Sequence, residues 1–235
     1  MVAACAWPAL ALAQRVDLSS AEKLVVDTTN AFRREAGLAA VKPDSALGQA
    51  ARDFAEFMAH TDRYGHTADG RNPGDRASGK GYDHCLVAEN IAYQYNSGGF
   101  RTAELAHSFV EGWKHSPDHR KNMLEPAATD TAVAVARGER SGRYYAVQMF
   151  GRPKSERIEF RITNAAPEAV RYDIAQREYS LRPRETRIHW LCGPEDLTLH
   201  PGAGANAHDA RVRPSRGDKL VVVGEASRVS IRRER

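Results

Sequence analysis

The amino-acid sequence predicts a mixed α+β protein, with a layered domain of helices and strands at residues 17–152 and a small all-β domain at 153–235. Three observations predict this division. Apolar residues recur at helical spacing in the first part, and short strand-like runs follow near its end. Evenly spaced strand-like runs with turn residues between them fill the second part. The charge changes at the same place: residues 1–152 hold 18 basic and 18 acidic side chains, and residues 153–235 hold 16 and 12.

Five helices are predicted in the first domain, each from a cap residue followed by apolar residues at helical spacing. The first has the capping-box pattern Ser19-Ser20-Ala21-Glu22 and a natural stop at Gly37. The last has Ser116 as N-cap and Pro117 at the first helical position, which places His119 in its first turn. In chain order the helices are 20–36, one capped by Asp44, a short one beginning at Asn72-Pro73, one opening at Thr102 and a short one beginning at Ser116-Pro117.

Strands are predicted from short apolar or alternating runs. Residues Ile158, Phe160 and Ile162 alternate with charged residues and give the clearest period-two pattern, which favours a small antiparallel β-sandwich or barrel for the second domain. The predicted strands are 87–93, 131–136 and 144–150 in the first domain, and 158–162, 170–174, 178–181, 186–191, 197–200, 219–223 and 228–231 in the second.

The N-terminal residues 1–13 are predicted to be the remnant of a secretory signal peptide. They are rich in Ala and Leu, and Ala11-Leu12-Ala13 fits the small-x-small pattern before a cleavage point. A lipid on Cys5 and an ordinary buried segment are the alternatives. Export would permit a disulfide between Cys85 and Cys192, the alternative being two separate buried thiols. The expected location is therefore secreted or periplasmic.

Composition excludes several classes of protein. The longest apolar run, Val2 to Ala13, is too short to span a bilayer, so no transmembrane segment is predicted. A net charge of +4 is too small for a nucleic-acid-binding footprint. Three cysteines do not make a disulfide scaffold or a four-cysteine zinc site.

Histidines and carboxylates cluster in one window of the first domain. Six histidines lie between positions 60 and 119, and Glu89 and Glu111 lie among them. Histidine and glutamate side chains are common metal ligands and common general acids and bases, so the cluster is compatible with either kind of site. His115 and His119 are four residues apart, but Pro117 separates them, so His115 is interpreted as a solvated residue at a helix end.

Three stretches resemble the CAP superfamily, or SCP domain, of cysteine-rich secretory proteins, venom antigens and plant pathogenesis-related proteins. They are Tyr64-Gly65-His66-Thr67, Ala88-Glu89-Asn90-Ile91-Ala92, and the long run from Gly112 to Leu124. The resemblance is greatest to the bacterial branch, covers roughly residues 20–152 and does not extend to 153–235.

The resemblance implies a three-layer α-β-α sandwich with an open cleft, into which two histidines and two glutamates point and where they can hold zinc or another divalent cation. By position, the first three are His66, Glu89 and His119. The fourth does not match, because the residue three after Trp113 is Ser116. Glu111 is the substitute candidate, although it lies about 140° around the helix from the expected position.

Structural roles are the alternatives to chemistry for these residues. Glu89 is alternatively a buried carboxylate held by backbone N–H groups or by Arg120. Asn90 is expected to satisfy loop backbone groups, and Trp113 to lie in the core. His119 is the strongest functional candidate, since a helix N-terminus disfavours the imidazolium form.

Three functions follow as hypotheses. The first is a binding module whose His/Glu-lined cleft captures a lipid, a peptide or an envelope polymer, with or without a divalent metal. The second is a metal-assisted hydrolase acting on peptides or esters in the same cleft. The third is a structural or interaction protein of the cell envelope, whose mildly basic residues 153–235 contact an anionic partner.

Overall fold

The computed structural model describes residues 16–200, 210–225 and 228–234. The predicted signal-peptide remnant at 1–13 lies outside the described residues, as do residues 201–207, for which the Gly- and Ala-rich sequence predicts a loop. Among the described residues, no helix has the length and apolar character that a membrane crossing requires.

The first part of the chain forms three layers, so the predicted α+β fold and α-β-α arrangement are confirmed. A four-stranded sheet in the order β1-β3-β4-β2 is the middle layer. β1 pairs in parallel with β3, and the other pairs are antiparallel. The elements are α1 (Leu18–Glu35), β1 (Lys42–Pro43), α2 (Ser45–Thr61), α3 (Pro73–Ser78), β2 (His84–Gln94), α4 (Thr102–His115), α5 (Pro117–Met123), β3 (Asp130–Arg137) and β4 (Tyr144–Pro153).

Each face of this sheet has its own apolar core. Helices α1, α4 and α5 cover one face, where Phe109, Trp113 and Phe150 are fully buried. Helices α2 and α3 cover the other, where Phe54 and Tyr145 are buried. Burying such side chains contributes about 2 kcal/mol each, which fixes the layers firmly enough to position a surface site.

Local capping signals locate the helix starts, with one correction. Asp44 caps α2 by accepting from the Leu47 N–H, as predicted. The first helix instead begins at Leu18, because Asp17 is the N-cap and accepts from Ser20. Glu22, predicted to close a capping box at this helix start, instead bonds to Arg52. The capping-box prediction was wrong here because the cap at Asp17 makes Ser20 the third helical residue and places Glu22 two residues beyond it.

The second part of the chain is a β-sandwich with a single apolar core, so of the predicted sandwich or barrel the structure shows the sandwich. The prediction that its strands are all antiparallel was wrong for one pair, because Lys219–Glu225 pairs in parallel with Ile158–Asn164. The long connection between these two strands, which passes through the other sheet, permits a parallel pair. One sheet has the order β12-β11-β5-β8 and the other β10-β9-β6-β7. Phe160, Tyr172 and Leu220 lie fully buried between them. The three-residue strand β10 carries too short a pattern to have been predicted. The strands are β5 (Ile158–Asn164), β6 (Val170–Ile174), β7 (Arg177–Leu181), β8 (Thr186–Leu191), β9 (Leu197–His200), β10 (Ala210–Val212), β11 (Lys219–Glu225) and β12 (Arg228–Glu234).

A disulfide joins the two parts of the chain. Cys85 in β2 is bonded to Cys192, just after β8, with the Cα atoms 5.5 Å apart. Of the two alternatives for these cysteines, the structure therefore shows pairing. Gly193 packs beside this link so closely that a Cβ on it would lie 2.6 Å from the Cβ of Ala127. Arg152, at the end of the first part, donates to the Ala127 carbonyl at 3.2 Å and to the carbonyl of Glu156 in the second part at 2.9 Å.

Candidate functional site

Glu89 is the buried centre of the candidate site. It lies on the edge strand β2, opposite Met149 of β4, on the sheet face that α2 and α3 cover. Its side chain is 1% exposed. Oε2 accepts a hydrogen bond from Nη2 of Arg76 at 2.8 Å, and Oε1 lies 2.8 Å from Nδ1 of His66. A buried carboxylate requires such partners, and here both of its oxygens are engaged within the chain.

Arg76 ties the loop before α3 to this carboxylate. Its side chain is 1% exposed, and Nη1 donates to the carboxylate of Asp69 and to the carbonyl of Arg71, both at 2.8 Å. Nη2 also donates to the carbonyl of His66 at 2.8 Å. The guanidinium carbon lies 3.6 Å from the ring centroid of Phe54. One buried cation thus fixes the path of the loop that carries His66.

His66 presents its ring to solvent. The side chain is 48% exposed, and its Nδ1 lies 2.8 Å from the Glu89 carboxylate. A carboxylate favours a proton on Nδ1, and in the neutral form of that ring Nε2 is the acceptor. The ring of His119 lies 6.3 Å away between centroids. Burial, together with the neighbouring His66, lowers the pKa of His119, while Asp118 opposes the shift. His119 is therefore a neutral imidazole at neutral pH.

Two asparagines hold His119 against β2. The Asn90 amide donates to the carbonyl of His119 at 3.1 Å. Asn122, in α5, donates to the Asn90 amide oxygen at 2.9 Å and to the Glu89 carbonyl at 3.1 Å. The structural role predicted for Asn90 is confirmed by these bonds, which fix α5 beside the strand.

Side chains also occupy the outer edge of β2. The Ile91 carbonyl accepts from the indole N–H of Trp113 at 3.1 Å and from the hydroxyl of Tyr64 at 3.2 Å. Burial raises the pKa of Tyr64, so that its hydroxyl remains a donor. An edge strand with open carbonyls invites another strand to pair with it. Here the carbonyls of Glu89 and Ile91 are already bonded, which disfavours strand addition.

A row of exposed tyrosines continues from His66 along β2. Tyr64 is 47% exposed and Tyr93 46% exposed, and their rings meet edge to face at 5.1 Å. Tyr95, just beyond the strand, is 60% exposed. We call His66, Tyr64, Tyr93 and Tyr95 the tyrosine strip. The six residues of extended chain from Glu89, the partner of His66, to Tyr95 give the strip a length of about 20 Å.

Glu111, the fourth predicted site residue, is engaged elsewhere. Its carboxylate pairs with Lys114 at 2.9 Å, and this hydrogen bond is the main cause that lowers the pKa of Glu111. His115 is exposed at the end of α4 and bonds the Glu111 carbonyl, consistent with a helix-end residue. Among the described residues, nothing brings Glu111 into contact with His66, Glu89 or His119.

The predicted metal ligands do not fit a divalent ion as the structure arranges them. A three-ligand site needs a carboxylate oxygen beside the two imidazoles, but both oxygens of Glu89 face Arg76 and His66. Within the described residues, no group of three or more His, Cys, Asp or Glu side chains is arranged to hold a metal ion. His66, Glu89 and His119 do come together, with Glu89 as the partner that orients His66.

Sequence reasoning missed two parts of this site. The cation beside Glu89 is Arg76, whereas Arg120, the expected partner, lies over the ring of Phe32 at 4.7 Å. The sequence carries no signal for Arg76, because it reaches Glu89 only once tertiary packing brings helix α3 beside strand β2. The exposed tyrosines carried a usable signal, since Glu89, Ile91 and Tyr93 alternate onto one face of a strand.

The fold and the site define an α-β-α domain with its candidate binding surface along an edge strand. The model of the cysteine-rich secretory protein family (CAP) matches residues 26–150. This is more than half of the 235 residues, and the chain therefore belongs to that family.

Two curated relatives come from Bacillus subtilis (strain 168). The uncharacterized protein YkwD is 31% identical over 136 residues, which are 57% of this chain and 49% of the relative. The uncharacterized membrane protein YlbC is 31% identical over 122 residues, 51% of this chain and 32% of the relative. The chain thus spans less than half the length of either.

Two solved structures align with this chain. An outer surface protein from Borrelia burgdorferi aligns with a TM-score of 0.52 and 18% identity, over 59% of this chain and 97% of its own. An extracellular SCP-domain protein from Bacillus anthracis aligns with a TM-score of 0.48 and 25% identity, over 57% and 41%. The first of these shows a common architecture and nothing about function.

Proposed function

We propose that the chain is an exported binding module that holds an extended ligand, a peptide or an envelope polymer, along the tyrosine strip. The observation that carries this proposal is the row of half-exposed tyrosines beside His66 on a closed edge strand. Tyrosine gives a large rigid contact area together with a hydroxyl, which suits polar ligands that carry some apolar surface.

The cavity at the end of α2 does not favour a lipid as the ligand. An acyl chain requires an enclosed apolar cavity. The cavity of about 370 Å³ at the end of α2 is lined by Glu56, Arg137, Glu139 and Arg140 besides His60 and two alanines. Such a charged wall penalises an acyl chain, because these groups would lose their hydration.

Export is supported by the Cys85–Cys192 disulfide, since such bonds persist in oxidising compartments outside the cytosol. The family is itself described as one of secretory proteins. The exported chain is expected in the periplasm or outside the cell.

The binding test compares two single variants in a sedimentation assay with insoluble peptidoglycan. We expect Tyr93→Ala to weaken binding about tenfold, because one buried aromatic contact is worth roughly 1–2 kcal/mol. Trp190→Ala is the matched control, since Trp190 is 52% exposed on the second domain. Loss of binding in the Trp190 variant, with none in the Tyr93 variant, would move the function to residues 153–235.

The second candidate function is hydrolysis with His66 as general base. The observation that favours it is the His66–Glu89 pair at 2.8 Å, in which a carboxylate orients an imidazole whose other nitrogen faces solvent. The base would activate water directly. A panel of peptide and ester substrates tests it: His66→Ala should abolish turnover, and an unchanged rate would identify a contaminating enzyme.

A further inference from the structure

Two arginines stand at the far end of the tyrosine strip. The guanidinium carbon of Arg143 lies 5.0 Å from the ring centroid of Tyr93. A Cβ on Gly142 would lie 3.5 Å from the ring of Tyr95 and 3.6 Å from Nη2 of Arg137, so these two side chains flank the same glycine. The turn between β3 and β4 thus brings two cations next to two exposed tyrosines.

Both cations are available to a ligand. Among the described residues, neither Arg137 nor Arg143 has a carboxylate within the 4.0 Å of an ion pair. Asp62 faces Arg143 at longer range, and its Oδ1 already accepts from the hydroxyl of Tyr145 at 3.0 Å. The same hydroxyl interacts with Arg143 and raises its pKa, but it occupies only one of the N–H donors of that guanidinium.

The surrounding charges limit this positive surface to the strip side. The neighbouring cavity has Glu56 and Glu139 in its wall beside Arg137 and Arg140, which nearly balances its charge. Two described carboxylates lie near the strip: Glu89, which is buried and paired with Arg76, and Asp62, which accepts from the hydroxyl of Tyr145. A ligand that follows β2 therefore meets aromatic rings first and guanidinium groups last.

We propose that the ligand of the tyrosine strip is an anionic polymer, whose carboxylate or phosphate groups are bound by Arg137 and Arg143. Guanidinium groups present paired N–H donors that match the oxygens of both anions. The rings of Tyr93 and Tyr95 contact the uncharged backbone of the same polymer. This inference rests on the proposed binding function and adds the charge of the ligand to it.

The test measures binding by calorimetry of three defined probes: an oligogalacturonate, its fully methyl-esterified form and a glycerol phosphate oligomer of similar length. We expect at least one anionic probe to bind tighter than the ester. In the double variant R137Q/R143Q its affinity should fall about tenfold, while that of the ester changes less than twofold. The tighter of the two anionic probes identifies the source of the anion.

The matched control is R161Q/R211Q, which removes the same charge from exposed arginines on the second domain. The inference is overturned if the charged and esterified oligomers bind alike, or if the control weakens binding as much as R137Q/R143Q. Tyr93→Ala separates this outcome from failure of the proposed function. If it weakens binding of every probe, the strip is the site whatever its charge preference; if it weakens none, the proposed function itself fails.

Discussion

Arg76 is the single residue on which the geometry of the candidate site depends. It is buried, and it bonds the Glu89 carboxylate, the Asp69 carboxylate and the His66 carbonyl at the same time. Glu89 in turn bonds the His66 ring. The orientation of His66 is therefore set by a cation that never reaches the surface.

Replacing Arg76 tests this dependence. Arg76→Met should lower the free energy of unfolding by about 3–5 kcal/mol, because it leaves a buried carboxylate without its counter-ion. The double variant R76M/E89Q should recover part of the loss, since the remaining group is then neutral. Urea denaturation of the wild type, both single variants and the double variant measures the coupling.

The matched measurement is ¹⁵N NMR of the His66 ring, which reports its tautomer. We expect Glu89→Gln to change the tautomer populations, because a neutral amide no longer requires a donor at Nδ1. Additive effects of the two substitutions on unfolding, with an unchanged His66 signal, would contradict the dependence.

The sequence predicted residues with local partners and missed those with distant ones. Asp44 and Asn72 were identified as caps because each bonds a backbone N–H three residues ahead. The cation paired with Glu89 was missed because Arg76 reaches it only after α3 packs against β2. His66, Glu89 and His119 were brought together by a family resemblance, since their spacing alone predicts no contact.

At the scale of elements, helix α5 is held to the edge strand by side chains rather than by a large apolar face. Met123 is its one fully buried residue. Asn122 and Asn90 supply the polar contacts, and the Asn90 amide reaches the backbone of His119. The position of His119 beside His66 is thus a property of this junction.

Asn122→Ala should loosen that junction. The Glu89 carbonyl and the Asn90 amide oxygen would each lose a donor, which costs about 1–3 kcal/mol. Binding of the strip's ligand should weaken, because the same junction places His119 beside His66, a member of the strip. Thermal unfolding and calorimetry measure the two effects, and Lys121→Ala, an exposed position on the same helix, is the control. Equal behaviour of the two variants would contradict the role of Asn122.

Strand β8 carries a pH-sensitive residue into the second core. His189 is buried, stacks on Phe160 at 5.2 Å, and accepts from the hydroxyl of Tyr172 at 2.7 Å. Burial raises the pKa of Tyr172 to about 12, which keeps that hydroxyl a donor. Burial first, and then Arg187, lowers the pKa of His189.

This lowered pKa makes the second domain less stable in acid. The unfolded chain takes up the proton at about pH 6.5, before the folded protein does, so stability is full above that pH and is lost as the pH falls below it. His189→Gln keeps an acceptor for Tyr172 but does not titrate, so its stability should depend less on pH. Chemical denaturation between pH 7.5 and 5 measures the two slopes, and equal slopes would contradict the assignment.

At the scale of the whole molecule, the two parts of the chain meet at a covalent link. The Cys85–Cys192 bond closes a separation of 107 residues, with Gly193 packed on Ala127 beside it. The sequence left this pairing open because two cysteines so far apart give no signal of proximity. The difference in net charge between residues 1–152 and 153–235, by contrast, can be counted from the sequence alone. The residues of the second, more basic part form the two sheets of a β-sandwich.

Removing the disulfide should lower the stability of the protein and leave binding along the tyrosine strip unchanged. Cys85→Ala with Cys192→Ala should lower the free energy of unfolding by up to about 5 kcal/mol, the loop-closure entropy of a link of this span. Binding to the strip should stay within twofold, because Glu89 and Ile91 are held by Asn122 and Trp113. Calorimetric melting of the wild type with and without a reductant measures the effect on stability. The double variant serves as the control, because it has no disulfide to reduce and its melting temperature should not depend on the reductant. An equal wild-type melting temperature with and without the reductant would contradict a stabilising disulfide. Loss of binding in the variant would make the second domain part of the binding site.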